Sequence, residues 1–105
     1  MEIRETSIFT RRIEAILDQE AYRLLQLHIV RDPAAGDIVR GGGGVRKIRW
    51  GRTGTGKRGG ARILYYWAAG PNTILMLFAF TKNEQENLSR VQLQQMAAMV
   101  REEFK

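Results

Sequence analysis

The chain has 105 residues, 44% of them hydrophobic, and carries a net charge of +6 with one histidine and no cysteine. That is enough apolar material for one small core, and it excludes a disulfide framework, a thiolate metal centre and a multi-histidine site. The longest apolar run, Ile74 to Phe80, falls far short of the ~18 residues a membrane span needs, and Met1 to Glu5 is no signal segment, so a cytoplasmic protein without a membrane partner is expected.

Along the chain, an extended start is expected over Glu2 to Glu5. Ser7, followed by Ile8, Phe9, Ile13, Ile16 and Leu17, predicts a short capped helix. Asp18 is a second candidate N-cap. Ala21, Leu24, Leu25, His28 and Ile29 then mark one apolar helix face, stopped near Arg31 by Asp32-Pro33. His28 on that face reads as a packed side chain rather than a catalytic one. Gly36 to Gly44 is irregular, since four consecutive glycines do not belong inside a regular element.

Val45 to Trp50 alternates as a strand does, with Arg46, Ile48 and Trp50 on one face and Val45, Lys47 and Arg49 on the other. Residues 51 to 60 read as a glycine-rich hairpin loop, and Ala61 to Ala68 as a second strand rich in β-formers. After the turn Gly70-Pro71-Asn72, the near-continuous apolar run Thr73 to Phe80 is a strand covered on both faces. Ser89-x-x-Gln92 is a capping box, followed at helical spacing by Leu93, Met96, Ala97, Val100 and Phe104. The predicted order is β-α-α-β-β-β-α. It implies an α+β fold, a small antiparallel sheet with helices packed on one face, in a single domain over 1–105.

Charge is strongly segregated. From Ile38 to Asn83 there is no acidic residue, while Arg40, Arg46, Lys47, Arg49, Arg52, Lys57, Arg58, Arg62 and Lys82 are all basic. Such a stretch is the electrostatic footprint of a polyanion binder. Within it, "GRTGTGKRGG" (51–60) matches both the P-loop G-x-x-x-x-G-K and the dinucleotide fingerprint G-x-G-x-x-G. Both patterns require a helix N-terminus after the glycines, and here a strand follows. Arg58 also stands where a P-loop needs a magnesium-binding hydroxyl, so the stretch reads as a basic hairpin connection and not as a nucleotide cradle.

Lys47 and Arg49 share a strand face, and Arg62 sits on the next strand, so a hairpin closed around 51–60 brings the three together below Lys57 and Arg58. The patch suits a phosphodiester: arginine offers a planar fork to phosphate oxygens and lysine a compact charge. It could position RNA so that a ribose 2′-OH attacks its own neighbouring phosphate, or it could simply bind RNA; composition does not choose. Trp50, nearest the basic loop, is a candidate for stacking on a base, and Tyr65, Tyr66 and Trp67 are weaker ones.

The string "GGVRKIRWGRTGTGKRGGARILYYW", with "FAFTKNE" and a helix ending "RDPAAGD", resembles the RelE/HigB family of bacterial toxins, in its HigB-like branch, from about residue 5 onward. The resemblance implies a metal- and cofactor-independent, ribosome-dependent mRNA endonuclease that cuts the message in the A site and inhibits translation. It also implies a cognate antitoxin, of DNA-binding helix-turn-helix type, alongside the bacterial ribosome and mRNA as partners.

Carried over residue by residue, the family's basic catalytic positions fall on Lys47, Arg49 and Arg62. Lys47, crowded by like charges, becomes the candidate general base, Arg62 the holder of the scissile phosphate and Arg49 the aid to the leaving oxygen. Arg46, Arg52, Lys57, Arg58, Lys82, Asn83 and Trp50 are candidate RNA contacts. Asn83 replaces an arginine found in some members, and Ser89 lies near the place of a tyrosine used by the RelE prototype; Lys57, Arg58 or Lys82 would compensate. Two other functions fit the same residues less well: a ParE-type poison of DNA gyrase with the same fold, and a non-catalytic RNA- or ribosome-binding module.

Overall fold

The structure is a computed structural model that describes residues 1–52 and 56–105, without the side chains of 52 and 56–59. Strand β1 (Glu2–Glu5) leads into helix α1 (Ser7–Ile16). Thr6, not Ser7, caps that helix: its backbone is extended, at φ −71° and ψ 156°, and its hydroxyl accepts the Phe9 N–H at 3.1 Å. Asp18 caps α2 (Gln19–Arg31) as expected, its carboxylate accepting the Ala21 N–H at 2.7 Å. Leu25 and Ile29 of α2 are buried, but Leu24 is 45% exposed and does not belong to the inward face.

The segment expected to be irregular contains a two-residue strand, β2 (Asp37–Ile38), paired antiparallel with Lys47 and Arg46 of β3 (Arg46–Arg52). No alternation announces so short a strand; only its pairing creates it. Strands also run into the supposed loop. β3 reaches Arg52 and β4 (Gly56–Ala68) begins opposite it, with a register shift between Trp50 and Arg52. Glycines are depleted from strands, which is why the stretch reads as a loop. Here one of them is a packing requirement: a Cβ on Gly60 would lie 2.0 Å from the Trp50 carbonyl oxygen.

β5 (Thr73–Thr81) is buried at all nine positions. The sheet order is β1-β5-β4-β3-β2, antiparallel except that β1 runs parallel to β5 with Glu2 opposite Thr73. A β-bulge between Leu64 and Tyr65 leaves Leu77 of β5 without an opposite residue.

Helices cover both faces of the sheet, not one. Phe9, Ile13 and Ile16 of α1, with Leu25 and Ile29 of α2, pack on Ile48, Ile63, Tyr65, Ile74 and Met76. On the other face, Met96 and Val100 of α3 (Arg90–Glu103) pack on Val45, Leu64, Leu75, Leu77 and Phe80. The capping box at Ser89 and Gln92 starts α3 as predicted. Both covers were implicit in the unbroken apolar run of β5, because a strand with one wet face alternates.

β1 ends at Glu5, opposite Met76, so among the described residues no strand lies beside the rest of β5's outer edge. Side chains satisfy it instead. The Thr6 hydroxyl donates to Leu77 O at 2.9 Å, Arg12 Nε donates to Ala79 O at 2.5 Å, and the Thr81 N–H donates to the Glu84 carboxylate at 3.0 Å.

Candidate functional site

Strand alternation and register assemble the site. Lys47 lies opposite Leu64, and Arg49 directly opposite Arg62, on the sheet face that α3 partly covers. Lys82 follows the end of β5, and Glu86 and Asn87 come from the connection to α3. These six side chains wall a concavity of about 400 Å³. Arg62 is only 7% exposed and its Nη1 donates to Gly60 O at 3.1 Å, which points the guanidinium back along its own strand. The residue whose carbonyl holds Arg62 is thus the same one that packs closely against Trp50.

Like charges directly opposite on antiparallel strands repel, so the Arg49–Arg62 pair is unfavourable without a counter-charge. Among the described residues, the ion pairs belong to Arg4, Arg12, Arg23 and Lys105. Lys47, Arg49 and Lys82 are in none of them. A concavity walled by four basic side chains and one carboxylate is suited to an anion with several oxygens. Lys47 and Arg49 also line a neighbouring concavity of about 460 Å³ with Ala35, Asp37 and Ile48, where β2 contributes a carboxylate.

Not every candidate joins them. Arg46 lies on the opposite face, its Nη1 donating to Gly36 O at 2.8 Å and Ala34 O at 3.3 Å, where it fastens the segment before β2. Trp50 is on that same face. Its Nε1 donates to Ala21 O at 3.0 Å and its ring meets His28 at 5.3 Å, so it packs β3 against α2. Both placements follow from the alternation that puts Arg46, Ile48 and Trp50 on one face.

Asn83 is exposed beyond β5 and does not line the concavity. Ser89 is engaged as a helix cap, accepting the Gln92 N–H at 3.1 Å. The side chains of Arg52, Lys57 and Arg58 lie outside the described residues. Tyr65 is fully buried, Tyr66 packs on Phe104 and Trp67 on the inner cluster. Glu86 and Asn87 are the wall residues that the sequence did not reveal. Their one signal is position, between the cationic end of β5 and the cap of α3.

Among the described residues, no group of three or more histidine, aspartate or glutamate side chains is placed to hold a metal ion, and no helix is long and apolar enough to cross a membrane. The family model for the RelE toxin of the RelE/RelB toxin-antitoxin system matches residues 3–105. The fold is similar to that of a mutant of E. coli toxin RelE in the free state, with a TM-score of 0.62 and 12% identity over 94% of this chain and 95% of that one. It is also similar to a chain of the intact E. coli RelBE toxin-antitoxin complex, with a TM-score of 0.58 and 13% identity over 76% of this chain and 94% of the other.

Proposed function

The chain belongs to the RelE toxin family, and on that premise we propose that it is a ribosome-dependent mRNA endonuclease acting in the cytoplasm, one domain over 1–105, restrained by a cognate antitoxin. The observation that carries this reading is the convergence of Lys47, Arg49, Arg62 and Lys82 on one concavity, with Arg49 and Arg62 in direct cross-strand opposition. A phosphodiester offers these basic side chains several anionic oxygens to bind.

In this mechanism the ribose 2′-oxygen attacks the adjacent phosphorus and gives up its proton to Lys47 as general base. A 2′-oxygen–phosphorus bond forms and the phosphorus–5′-oxygen bond breaks, and the 5′-oxygen takes up a proton from water. Arg62, held by Gly60 O and largely shielded from water, binds the phosphate oxygens as negative charge grows on them. Arg49 stabilises the leaving oxygen, and Lys82 grips the neighbouring backbone. The ribosome supplies the message in a conformation that presents the 2′-oxygen in line, the part of catalysis a small basic cavity cannot supply.

Primer extension on a message after induction, in cells lacking the antitoxin and with matched expression, tests the reading. The expected result is a set of cuts at codon-related positions, abolished by Arg62→Ala. Lys47→Arg keeps the charge but removes a usable base, and is expected to preserve ribosome association while stopping cleavage. DNA damage without cuts would favour the gyrase-poisoning alternative. Ribosome association with an intact message would favour a binding module.

A further inference from the structure

Three of the six residues around the concavity, Lys82, Glu86 and Asn87, come from the connection between β5 and α3. Lys82 is exposed, so its placement is set by its backbone and not by packing. That backbone is closed into a turn. The N–H groups of Glu84 and Gln85 donate to Thr81 O at 3.1 and 3.3 Å, and the Thr81 N–H and hydroxyl donate to Glu84 Oε1 at 3.0 and 3.2 Å.

The turn is tied to the layer on the far side of the sheet. Arg12 of α1 reaches around the open edge of β5, its guanidinium 4.8 Å from the Phe78 ring centre and its Nε on Ala79 O. Its Nη2 donates to the second oxygen of Glu84. One planar fork thus holds both the strand and the turn that follows it, which lysine could not do. At its other end, the connection is held to α3 by reciprocal amide bonds between Gln85 and Gln92, at 2.8 and 3.2 Å.

We infer that Arg12 and Glu84 are positioning residues for the cationic cavity, their ion pair fixing the turn that presents Lys82 beside Lys47, Arg49 and Arg62. The inference rests on the reading of this cavity as an RNA-backbone site. Arg12 and Glu84 are both partly exposed, at 28% and 42%, so their pair contributes little to global stability and acts locally.

A double-mutant cycle separates acting through Lys82 from acting independently. Glu84→Gln keeps a carbonyl oxygen for the Thr81 N–H and removes the charge that Arg12 grips. Affinity for a short fluorescent single-stranded RNA is measured for wild type, Glu84→Gln, Lys82→Ala and the double variant, with thermal unfolding of each. Each single change is expected to weaken binding about fivefold, the worth of one exposed charge contact, and the double variant to be no weaker than Lys82→Ala alone. Unchanged affinity in Glu84→Gln, or a double variant about twenty-five-fold weaker, would overturn the inference. Arg12→Lys is the second variant, with the same expected loss, should Glu84→Gln fail to fold. If the wild type binds the RNA but cuts no message on ribosomes, the cleavage mechanism fails and the cycle still decides the positioning role. If the wild type does not bind the RNA, both fail.

Discussion

Tyr65→Phe gives a direct test of how the segment before β2 is held. Tyr65 is fully buried; its hydroxyl donates to Pro33 O at 2.8 Å and accepts the Gly36 N–H at 2.9 Å. The substitution keeps the ring and its apolar contacts but deletes both bonds. Two hydrogen bonds at about 1 kcal/mol each, with a penalty for the buried Gly36 N–H left without an acceptor, give a loss of about 2–3 kcal/mol. For a chain of this length that is a fall of about 8–12 °C in Tm. Urea unfolding monitored by tryptophan fluorescence should show a lower midpoint with an unchanged slope. A loss below about 1 kcal/mol would refute the reasoning, because it would mean that the two backbone groups find other partners when the hydroxyl is gone. The cationic cavity is on the other face of the sheet, so RNA affinity of the folded variant should be unaltered.

Trp50→Phe should lower stability by about 1 kcal/mol through the lost bond to Ala21 O and leave RNA affinity unchanged. A drop of about 1–3 kcal/mol in binding would instead restore a base-stacking role. Gly60→Ala forces a methyl group against the Trp50 carbonyl, so it should cost at least about 1–3 kcal/mol and weaken cleavage further by displacing Arg62; circular dichroism melts and primer extension read the two effects. Stability should fall at both extremes of pH, measured as the urea midpoint. On the acid side, burial tends to raise the Glu84 pKa, but the bonds from Arg12 and Thr81 hold it below its ordinary 4.5. Its contribution, small because the pair with Arg12 is partly exposed, is therefore complete above that value and is lost as pH falls through the folded-state pKa. On the alkaline side, burial raises the pKa of Tyr65, and burial with the bond to Glu5 raises that of Tyr22, both above the ordinary 10.0. The stability linked to them is present below pH 10 and declines as pH rises beyond it; Tyr65→Phe should make that decline shallower.

What the sequence disclosed was what its local chemistry determines. Asp18 and the Ser89–Gln92 box name their helices because a cap is a contact between near neighbours. The alternation around Ile48 placed Lys47 and Arg49 on one face and Arg46 and Trp50 on the other, and that assignment outweighs closeness to the basic loop. What stayed hidden depends on partners distant in the chain. Asp37–Ile38 is a strand only because Arg46 and Lys47 lie beside it, and the second helix layer follows from where α3 docks. Thr6 and Ser7 are both capping residues by type, and backbone conformation alone decides between them. Glu86 and Asn87 carry no pattern of their own; they enter the cavity wall because Glu84 and Gln85 are tied to opposite layers.

The seam between the N-terminus and β5 has a consequence for how the molecule comes into being. β1 pairs with Thr73 to Met76, Thr6 with Leu77, Arg12 with Ala79 and Glu84, and Arg4 with Glu103. Residues 2 to 12 are thus fastened to partners at least 67 positions further along the chain. Contacts between segments so far apart pay their loop-closure entropy before they return any free energy, which slows folding. Lys47, Arg49 and Arg62 come from the β3–β4 pair, and Lys82, Glu86 and Asn87, which complete the wall, from the connection that this seam fastens. The site is complete only when that long-range closure has been made.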